Sequence, residues 1–391
     1  MKSNFNYYLP TKVFVGINVL ENLVEICKMY GSKILIIISP DISQGKEKVL
    51  RCFNKSKFSI ETFYLDSSEP TCRFIDLLRE ELKSKQFDCI IGLGGGSAID
   101  TAKALSIALT HFEPIWLYAN LSNRPPLPLL KSLIPVLAIP TTSGTGSEVT
   151  PYAVLTNSEI NQKGTIQETA LFPRAAFLDP TLTRTMPLEL TAATGTDAFM
   201  HAFESFINIS KYSPVAEWAA REAMSIIYQT LPEVYKNLDN LELRLEMSWA
   251  STLAGIAISH RGTTAIHAIA EPLGAIIHIP HSVAVAMCTL PVLKYTWSKS
   301  IKKFCMLYEI LEPSKKFEKS DIDKAKKSVE LISNMFKKVN MFKKVKDYIK
   351  VENIADKLLE DVIKYKFRPL AQHPIEFSKK ELEIIINEIF K

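Results

Sequence analysis

The 391-residue sequence lacks the features of disulfide-stapled, membrane-spanning and disordered chains. Its six cysteines form no CxxC pair and share no spacing pattern, which favours reduced thiols over a disulfide framework. No apolar run reaches the ~18 residues that a membrane span needs. The segment MKSNFNYYLP has no apolar core of the kind that signal peptides carry. We therefore expect a cytoplasmic protein with no membrane partner.

Charge of one sign is not in strong excess either. The chain has 47 basic and 42 acidic residues, a net charge of +5. Acidic residues are interleaved with the lysines between 299 and 346, a pattern typical of solvated helix faces. We therefore expect no nucleic-acid partner. The length and the hydrophobic content of 47% suit a globular protein of two domains at ~100–200 residues each.

Short apolar runs alternate with helical patterns through the first half of the chain. Strands are predicted at 33–38, 89–93 and 133–139, and helices at 19–30, 73–85 and 98–108. The strand candidates are apolar on both faces, as in a parallel sheet that helices cover on both sides. Strand and helix in alternation predict a doubly wound α/β domain.

The strand pattern stops after a segment that reads as a hinge. Residues 178–187 carry two prolines and several threonines, and long amphipathic stretches follow at 188–209, 214–238 and 241–259. Such stretches are typical of helices with one buried face. We predict an α/β domain over residues 1–184 and an all-helical domain over residues 185–391.

A glycine-rich turn lies between a predicted strand and a predicted helix, in the segment IGLGGGSAIDTAK at 91–103. Gly94, Gly95 and Gly96 lack the Cβ atoms that would keep a diphosphate away from the backbone. Ser97 is predicted to cap the helix, whose N-terminal N–H groups and dipole favour an anion. The alternative is a tight turn with no ligand, since the pattern is not GxGxxG. Three consecutive glycines favour phosphate binding.

A second polar turn, PTTSGTGSE at 140–148, follows the third predicted strand. Its hydroxyl groups and glycines form a hydrogen-bonding surface, and the alternative is a surface loop rich in Ser and Thr. Nucleotides bind at the carboxyl ends of strands in open α/β sheets. Two polar turns at that edge of one sheet therefore favour a nucleotide site.

The histidines suggest a metal site. Four of the seven fall within 22 residues, at 260, 267, 278 and 281. Asp197 and His201 are four residues apart and share one helix face. With His267 and His281 they offer three imidazoles and a carboxylate, a set that suits Fe²⁺ or Zn²⁺ with a position left for substrate. The alternative is a buried polar network, although Asp197 lies among apolar residues and needs a partner or a metal.

These motifs, in this order, resemble the iron-dependent (group III) alcohol dehydrogenases along nearly the whole chain. The resemblance rests on segments 94–103, 140–148, 179–183 and 197–204 and on the surroundings of His267 and His281. It implies a dehydroquinate synthase-like fold, in which an N-terminal dinucleotide-binding domain and a C-terminal helical domain enclose the metal in a cleft. It also implies an NAD(P)-dependent enzyme that interconverts small alcohols and aldehydes, as a homodimer or larger homo-oligomer.

The resemblance also implies residue roles. The implied ligands of Fe²⁺ or Zn²⁺ are Asp197, His201, His267 and His281. The implied contacts of NAD or NADP are Ser39, Gly94, Gly95, Gly96, Ser97, Asp100, Thr141, Thr142, Thr145 and Lys163. Lys163 matches a lysine that such enzymes place near the nicotinamide ribose.

Three positions depart from the family pattern. Glu271 stands where many members carry a second histidine, one helical turn from His267, so it either orients that imidazole, relays a proton or is structural. Ser282 replaces a glycine. Ser39 replaces the aspartate of NAD-preferring relatives and lacks the charge that repels a 2′-phosphate, although Asp41 lies two residues away. Both NAD and NADP therefore stay open.

The predicted reaction transfers a hydride between a carbinol carbon and the nicotinamide, with a metal that lowers the pKa of the alcohol. Both His260 and Arg261 precede the third ligand, and surface exposure is the expected placement. The alternative is that Arg261 faces the cleft and favours an anionic aldehyde. Two other functions compete, a lyase of the dehydroquinate synthase type that uses NAD without net turnover and a non-enzymatic metal-binding scaffold.

Overall fold

A computed structural model describes residues 4–40, 42–54, 56–65, 70–121, 124–160, 162–314, 320–348 and 354–391. Within these ranges the chain forms eight strands and fifteen α-helices. The strands are β1 Lys12–Val15, β2 Lys33–Ile38, β3 Ser59–Tyr64, β4 Cys89–Gly94, β5 Val136–Pro140, β6 Tyr152–Asn157, β7 Gln162–Gln167 and β8 Ala175–Leu178. The helices are α1 Leu23–Lys28, α2 Ser43–Phe53, α3 Cys72–Leu82, α4 Gly96–Ala108, α5 Pro180–Thr183, α6 Leu188–Ile207, α7 Pro214–Lys236, α8 Leu241–Arg261, α9 Ala265–Ile277, α10 His281–Thr296, α11 Ile301–Leu311, α12 Asp321–Lys338, α13 Ile354–Tyr365, α14 Phe367–Ala371 and α15 Lys379–Ile389.

The chain divides into two compact units. The α/β unit comprises residues 8–186 and 239–255, and the helical unit comprises residues 1–7, 187–238 and 256–391. This division differs from the predicted ranges because most of α8 belongs to the α/β unit. There Ser248 of α8 hydrogen-bonds Ser143 at 3.0 Å, and Thr252 donates to Glu148 at 2.6 Å. Amphipathic periodicity predicts that a helix exists, but not which core its apolar face joins.

The α/β unit contains a parallel six-stranded sheet in the order β1-β8-β5-β4-β2-β3 and an antiparallel hairpin of β6 and β7. The predicted doubly wound fold is confirmed. The strand predicted at 133–139 begins three residues later, at Val136. Proline has no N–H for a ladder, and Pro135 only accepts, from Ile90 N at 2.9 Å. Strands β1 and β8 are not predicted, because four residues are too few to show an apolar periodicity.

Both faces of this sheet are buried. Ile34 to Ile38 on β2 are all 0% exposed, and alternate side chains join two different apolar clusters. This explains the unbroken apolar run of β2, since a strand covered on both faces has no polar side. Each such side chain stabilises the fold by ~1.5–3 kcal/mol through burial. The two cores thereby fix the strand ends that carry the polar turns.

The helical unit has no strand among its described residues, and no described helix is both long and apolar enough to cross a membrane. Its helix α6 is buried on every side from Gly195 to Ile207. An all-round apolar helix of this kind belongs in a core. The polar side chains of α6 are therefore enclosed, and each needs a partner.

Candidate active site

Four predicted donors converge inside the helical unit. Helix α6 supplies Asp197 and His201, α9 supplies His267, and His281 opens α10. Their ligand atoms all lie within 4.8 Å of one another, and we call these four residues the donor cluster. Asp197 Oδ1 lies 3.4 Å from His267 Nε2 and 3.9 Å from Nε2 of both other imidazoles.

The donor cluster fits a divalent ion. Two of its buried atoms, Asp197 Oδ1 and His267 Nε2, have no hydrogen-bond partner in the part of the chain that the structure describes. Such orphaned atoms are rare in protein interiors and call for an ion or water. Two donors on a tetrahedral ion with ordinary bond lengths are about 3.4 Å apart, close to the separations found here. The side chain of His281 is 32% exposed while the other three are nearly buried, so the cluster is reached from the His281 side.

The protonation of the cluster points the same way. Burial opposes ionisation of Asp197, but the three imidazoles around it, His201 first, outweigh burial and lower the pKa of its carboxyl. Burial likewise opposes a charged His267, but Glu204 and Asp197 outweigh burial and raise its pKa to about 10. The cluster therefore stabilises positive charge beside His267 Nε2, where a bound ion would replace the proton of the imidazolium.

Glu204, on the same face of α6, holds His267 from behind. Its fully buried carboxylate accepts a hydrogen bond from His267 Nδ1 through Oε2. It also accepts from the backbone N–H groups of Ile266, at 2.7 Å, and His267, at 3.3 Å, which belong to the first turn of α9. Because Nδ1 donates to Glu204, the lone pair of Nε2 is directed at the donor cluster. With one carboxylate, Glu204 thus caps the N-terminus of α9 and orients the imidazole of His267.

A chain of hydrogen bonds continues from Glu204 into the core. Thr264 Oγ1 donates to Glu204 Oε1 at 2.7 Å and lies 3.1 Å from His373 Nδ1, and His373 Nε2 lies 2.9 Å from Thr296 Oγ1. Burial lowers the pKa of His373 to about 4, so this imidazole is neutral at pH 7. Neutral His373 donates from Nδ1 to Thr264, whose own proton goes to Glu204. Glu204, which orients His267, is therefore itself held by a hydrogen-bonded chain through Thr264 and His373 to Thr296.

Glu271 forms an ion pair with Lys366, next to α14. The side chains are 22% and 17% exposed. Burial opposes ionisation of Glu271, but Lys366 outweighs burial and lowers the pKa of the carboxyl to about 2. His281 and His267 lower this pKa further, and Glu271 lies one helical turn after His267 on α9.

The glycine turn has the shape expected of a phosphate cradle. Gly94 has φ +153°, and a Cβ there would lie 2.0 Å from Ser39 Oγ. Gly95 N donates to the same Ser39 Oγ at 3.3 Å. The prediction that Ser97 caps α4 is wrong, because the helix begins one residue earlier, at Gly96, with Gly95 as its N-cap and no side-chain cap. The end of α4 that faces the turn is therefore backbone alone.

The second polar turn packs directly against the first. Thr141 N donates to Gly94 O at 2.9 Å. A Cβ on Gly95 would lie 3.3 Å from Thr142 Oγ1, and one on Gly96 would lie 2.7 Å from Thr145 Cγ2. The structure therefore brings together most of the predicted cofactor contacts at one sheet edge. The members of this group are Ser39, Gly94, Gly95, Gly96, Ser97, Thr141, Thr142 and Thr145.

Three other predicted positions lie differently. Asp100 points inward, with both carboxylate oxygens hydrogen-bonded within the protein. Lys163 lies on β7, opposite Thr156. Asp41 lies outside the described residues.

The expected surface placement of Arg261 is wrong. It is 5% exposed and donates to Glu217 at 3.1 Å and to the carbonyl of Asn208. Its guanidinium is thus a cross-link in the helical core, where burial lowers its pKa and Glu217 opposes that shift. His260 is half-buried and stacks on Tyr7, with ring centroids 4.7 Å apart.

Sequence reasoning missed three charged residues of these sites. Glu204 lies three residues after His201 and seven after Asp197, so the helical period could have placed it on the ligand face. Lys103 ends the glycine motif, but its burial has no sequence signal. Lys366 lies 95 residues from its partner Glu271, and no local pattern joins them.

Two family models together match most of the chain. Residues 10–180 match "Iron-containing alcohol dehydrogenase", and residues 191–390 match "Fe-containing alcohol dehydrogenase family, C-terminal". The chain is 32% identical over 339 residues to the 1,3-propanediol dehydrogenase of Klebsiella pneumoniae, covering 85% of each.

Solved structures agree with this match. A crystal structure of 1,3-propanediol oxidoreductase superimposes with a TM-score of 0.90 at 28% identity, covering 99% of this chain and 100% of that one. The sulfoacetaldehyde reductase of Bifidobacterium kashiwanohense in complex with NAD⁺ gives a TM-score of 0.84 at 25% identity, covering 98% of each. These relatives support a dehydrogenase over the lyase and the scaffold.

Proposed function

Since this chain belongs to the iron-containing alcohol dehydrogenase family and is an oxidoreductase of alcohols and aldehydes, we propose that its donor cluster binds one ferrous ion and that its two polar turns bind a nicotinamide dinucleotide. Asp197 Oδ1 and His267 Nε2 carry this proposal, since both are buried, lie 3.4 Å apart and have no hydrogen-bond partner among the described residues. Zinc suits the same three imidazoles and carboxylate, so elemental analysis decides between the metals.

The bound ion would supply a Lewis acid for the alcohol or carbonyl oxygen, and the nicotinamide would supply the hydride chemistry. The protein's own residues position both. Glu204 holds His267 with Nε2 toward the cluster. The cap-free N-terminus of α4 offers backbone N–H groups to the diphosphate. The buried surroundings of α6 keep water away from three of the four donors.

We assign Glu271 a positioning role. Its pKa of about 2 keeps the carboxylate ionised at neutral pH, so it has no proton to donate and is a weak base. Its ion pair with Lys366 fixes the Glu271 carboxylate one helical turn from His267. By the family resemblance, Glu271 stands where many members carry a second histidine.

The His267→Ala variant tests the proposal. We expect it to lose both bound metal and production of reduced nicotinamide from small primary alcohols. The matched control is His278→Asn, because His278 is exposed and has φ +52°, a conformation that Asn tolerates. Full metal content and turnover in His267→Ala would refute the site.

The nucleotide is proposed to be either NAD or NADP, since uncharged Ser39 does not repel a 2′-phosphate. The related sulfoacetaldehyde reductase binds NAD⁺. We expect comparable kcat/KM values for the two nucleotides, and a selective loss of NADP use in Ser39→Asp. Wild-type protein that uses NAD alone would contradict this reading.

The substrate class proposed is small primary alcohols and their aldehydes, by similarity to the 1,3-propanediol dehydrogenase. The buried ion pair of Arg261 leaves no basis there for an anionic substrate. A cytoplasmic location and a homo-oligomeric state stay predictions, and native mass spectrometry tests the second.

A further inference from the structure

Lys103 of α4 is a buried charge that the proposed reaction does not use. Its side chain is fully buried, and Nζ donates to the carbonyls of Ser147, Thr150 and Tyr152 at 2.7, 3.0 and 2.8 Å. It also reaches the hydroxyls of Ser147, at 2.8 Å, and Thr150, at 3.3 Å. Burial lowers its pKa to about 8, against the attraction of acidic neighbours. The ammonium thus binds the chain that leaves the second polar turn.

Asp100, one helical turn before Lys103, binds the same segment. Its Oδ1 accepts from Ser147 Oγ at 2.5 Å and its Oδ2 accepts from Val154 N at 2.9 Å. The carboxylate is 3.8 Å from Lys103 Nζ. Both of its oxygens are therefore used inside the α/β unit. Ser147 is the shared member, since its hydroxyl donates to Asp100 and accepts from Lys103.

These contacts join the two polar turns from behind. Helix α4 begins at the glycine turn, and Ser147 lies in the second turn, two residues after Thr145. At the front, Thr145 packs so closely on Gly96 that a Cβ there would lie 2.7 Å away. A shift of Ser147 relative to α4 therefore moves Thr145 relative to the glycine turn.

We propose that Lys103, Asp100 and Ser147 form a brace that holds the second polar turn against the glycine turn, and that they are positioning residues for the diphosphate of the nucleotide. This inference rests on the proposed nucleotide site. It also replaces a direct cofactor contact by Asp100 with an indirect role. Binding sites require that their side chains and backbone groups are held to within a fraction of an ångström of the bound geometry.

Ser147→Ala tests the brace, with Ser106→Ala as the matched control. Ser106 is a buried serine of α4 whose hydroxyl donates to the carbonyl of Lys103 in its own helix. Ser147→Ala loses a bond to Asp100 and one from Lys103, whereas Ser106→Ala loses one bond to a carbonyl. Unfolding free energy is therefore measured for both, and affinities are compared under conditions in which both variants are folded. Nucleotide affinity is measured by the fluorescence of NADH and NADPH in chelator-treated protein, so that the metal site plays no part.

We expect Ser147→Ala to weaken binding of NAD(P)H and of ADP-ribose by about tenfold, and adenosine binding to stay unchanged, because adenosine lacks the diphosphate. Ser106→Ala should bind as wild type does. Equal affinities in the two serine variants would overturn the brace. A second variant, Asp100→Asn, separates the two roles of Asp100: weakening by Asp100→Asn together with Ser147→Ala supports the brace, and weakening by Asp100→Asn alone overturns it in favour of direct contact. Wild-type protein that binds no nucleotide would instead refute the proposed nucleotide site.

Discussion

Glu204→Gln is expected to weaken ion binding by ~10–100-fold without unfolding the protein. The two carboxylate oxygens of Glu204 accept from four donors, two on each side. Glutamine offers one oxygen and one NH₂ group, so one side must place donors against donors. The magnitude depends on which side that is.

If the NH₂ group faces His267, the imidazole gives up its Nδ1 proton and carries it on Nε2, the atom that the donor cluster needs. If the NH₂ group faces the other side, Ile266 N loses its buried acceptor at a cost of ~1–3 kcal/mol. In both cases the charge-assisted bond to His267 is lost, which is worth ~1.5–3 kcal/mol. Since ~1.4 kcal/mol is a factor of ten, the expected loss spans one to two orders of magnitude.

The assay is a competition between the protein and a chelator of known affinity, with Fe²⁺ or Co²⁺ as the ion. The control is Glu148→Gln, because Glu148 is also a buried glutamate, 3% exposed and bonded to Thr252 at 2.6 Å, but lies in the α/β unit. Denaturant unfolding of metal-free protein checks that both variants fold. An ion affinity in Glu204→Gln equal to that of Glu148→Gln would refute the reasoning.

Two further predictions concern charge in the helical unit. His373 has a pKa of about 4 in the folded state against 6.5 when exposed, so below pH 6.5 only the unfolded chain takes up the proton and stability falls by ~1.4 kcal/mol per pH unit until about pH 4. Urea unfolding between pH 7 and 5 should show this loss in wild-type protein, and a slope unchanged in His373→Gln would contradict it. Lys366→Met leaves Glu271 as an unpaired, mostly buried carboxylate and should cost ~2–4 kcal/mol of unfolding free energy. The double variant Lys366→Met/Glu271→Gln should recover most of this loss, and equal instability of the single and double variants would count against the pair.

The sequence predicts strand β2, the shared face of Asp197 and His201 and the glycine turn because their signals are local. The run Lys33–Ile38 is apolar on both faces, and β2 occupies those six residues. Asp197 and His201 share a face by spacing alone, and they do meet in the structure. Glycines 94 to 96 mark a close backbone approach, and Gly96 lies against Thr145.

Features that depend on tertiary partners escape the sequence. The apolar face of α8 does not say that Ser248 and Thr252 pack into the α/β unit. A basic residue beside the third ligand favours a surface position on average, yet Arg261 is buried because Glu217 and Asn208 happen to surround it. The inward turn of Asp100 likewise depends on Val154, 54 residues away.

The balance of charge explains why the Glu271 departure is compatible with the rest of the site. Asp197 and Glu204 bring two negative charges into a fully buried region, and a divalent ion with neutral imidazoles would balance them. A third carboxylate at Glu271 would give the region a net charge of −1. This charge would bind the ion more tightly and disfavour negative charge on a substrate oxygen. Lys366 supplies the missing positive charge, so the Glu271–Lys366 pair adds no net charge to the donor cluster. Glutamate is therefore compatible with the donor cluster because Lys366 neutralises it, and the pair should be exchanged together rather than one residue at a time.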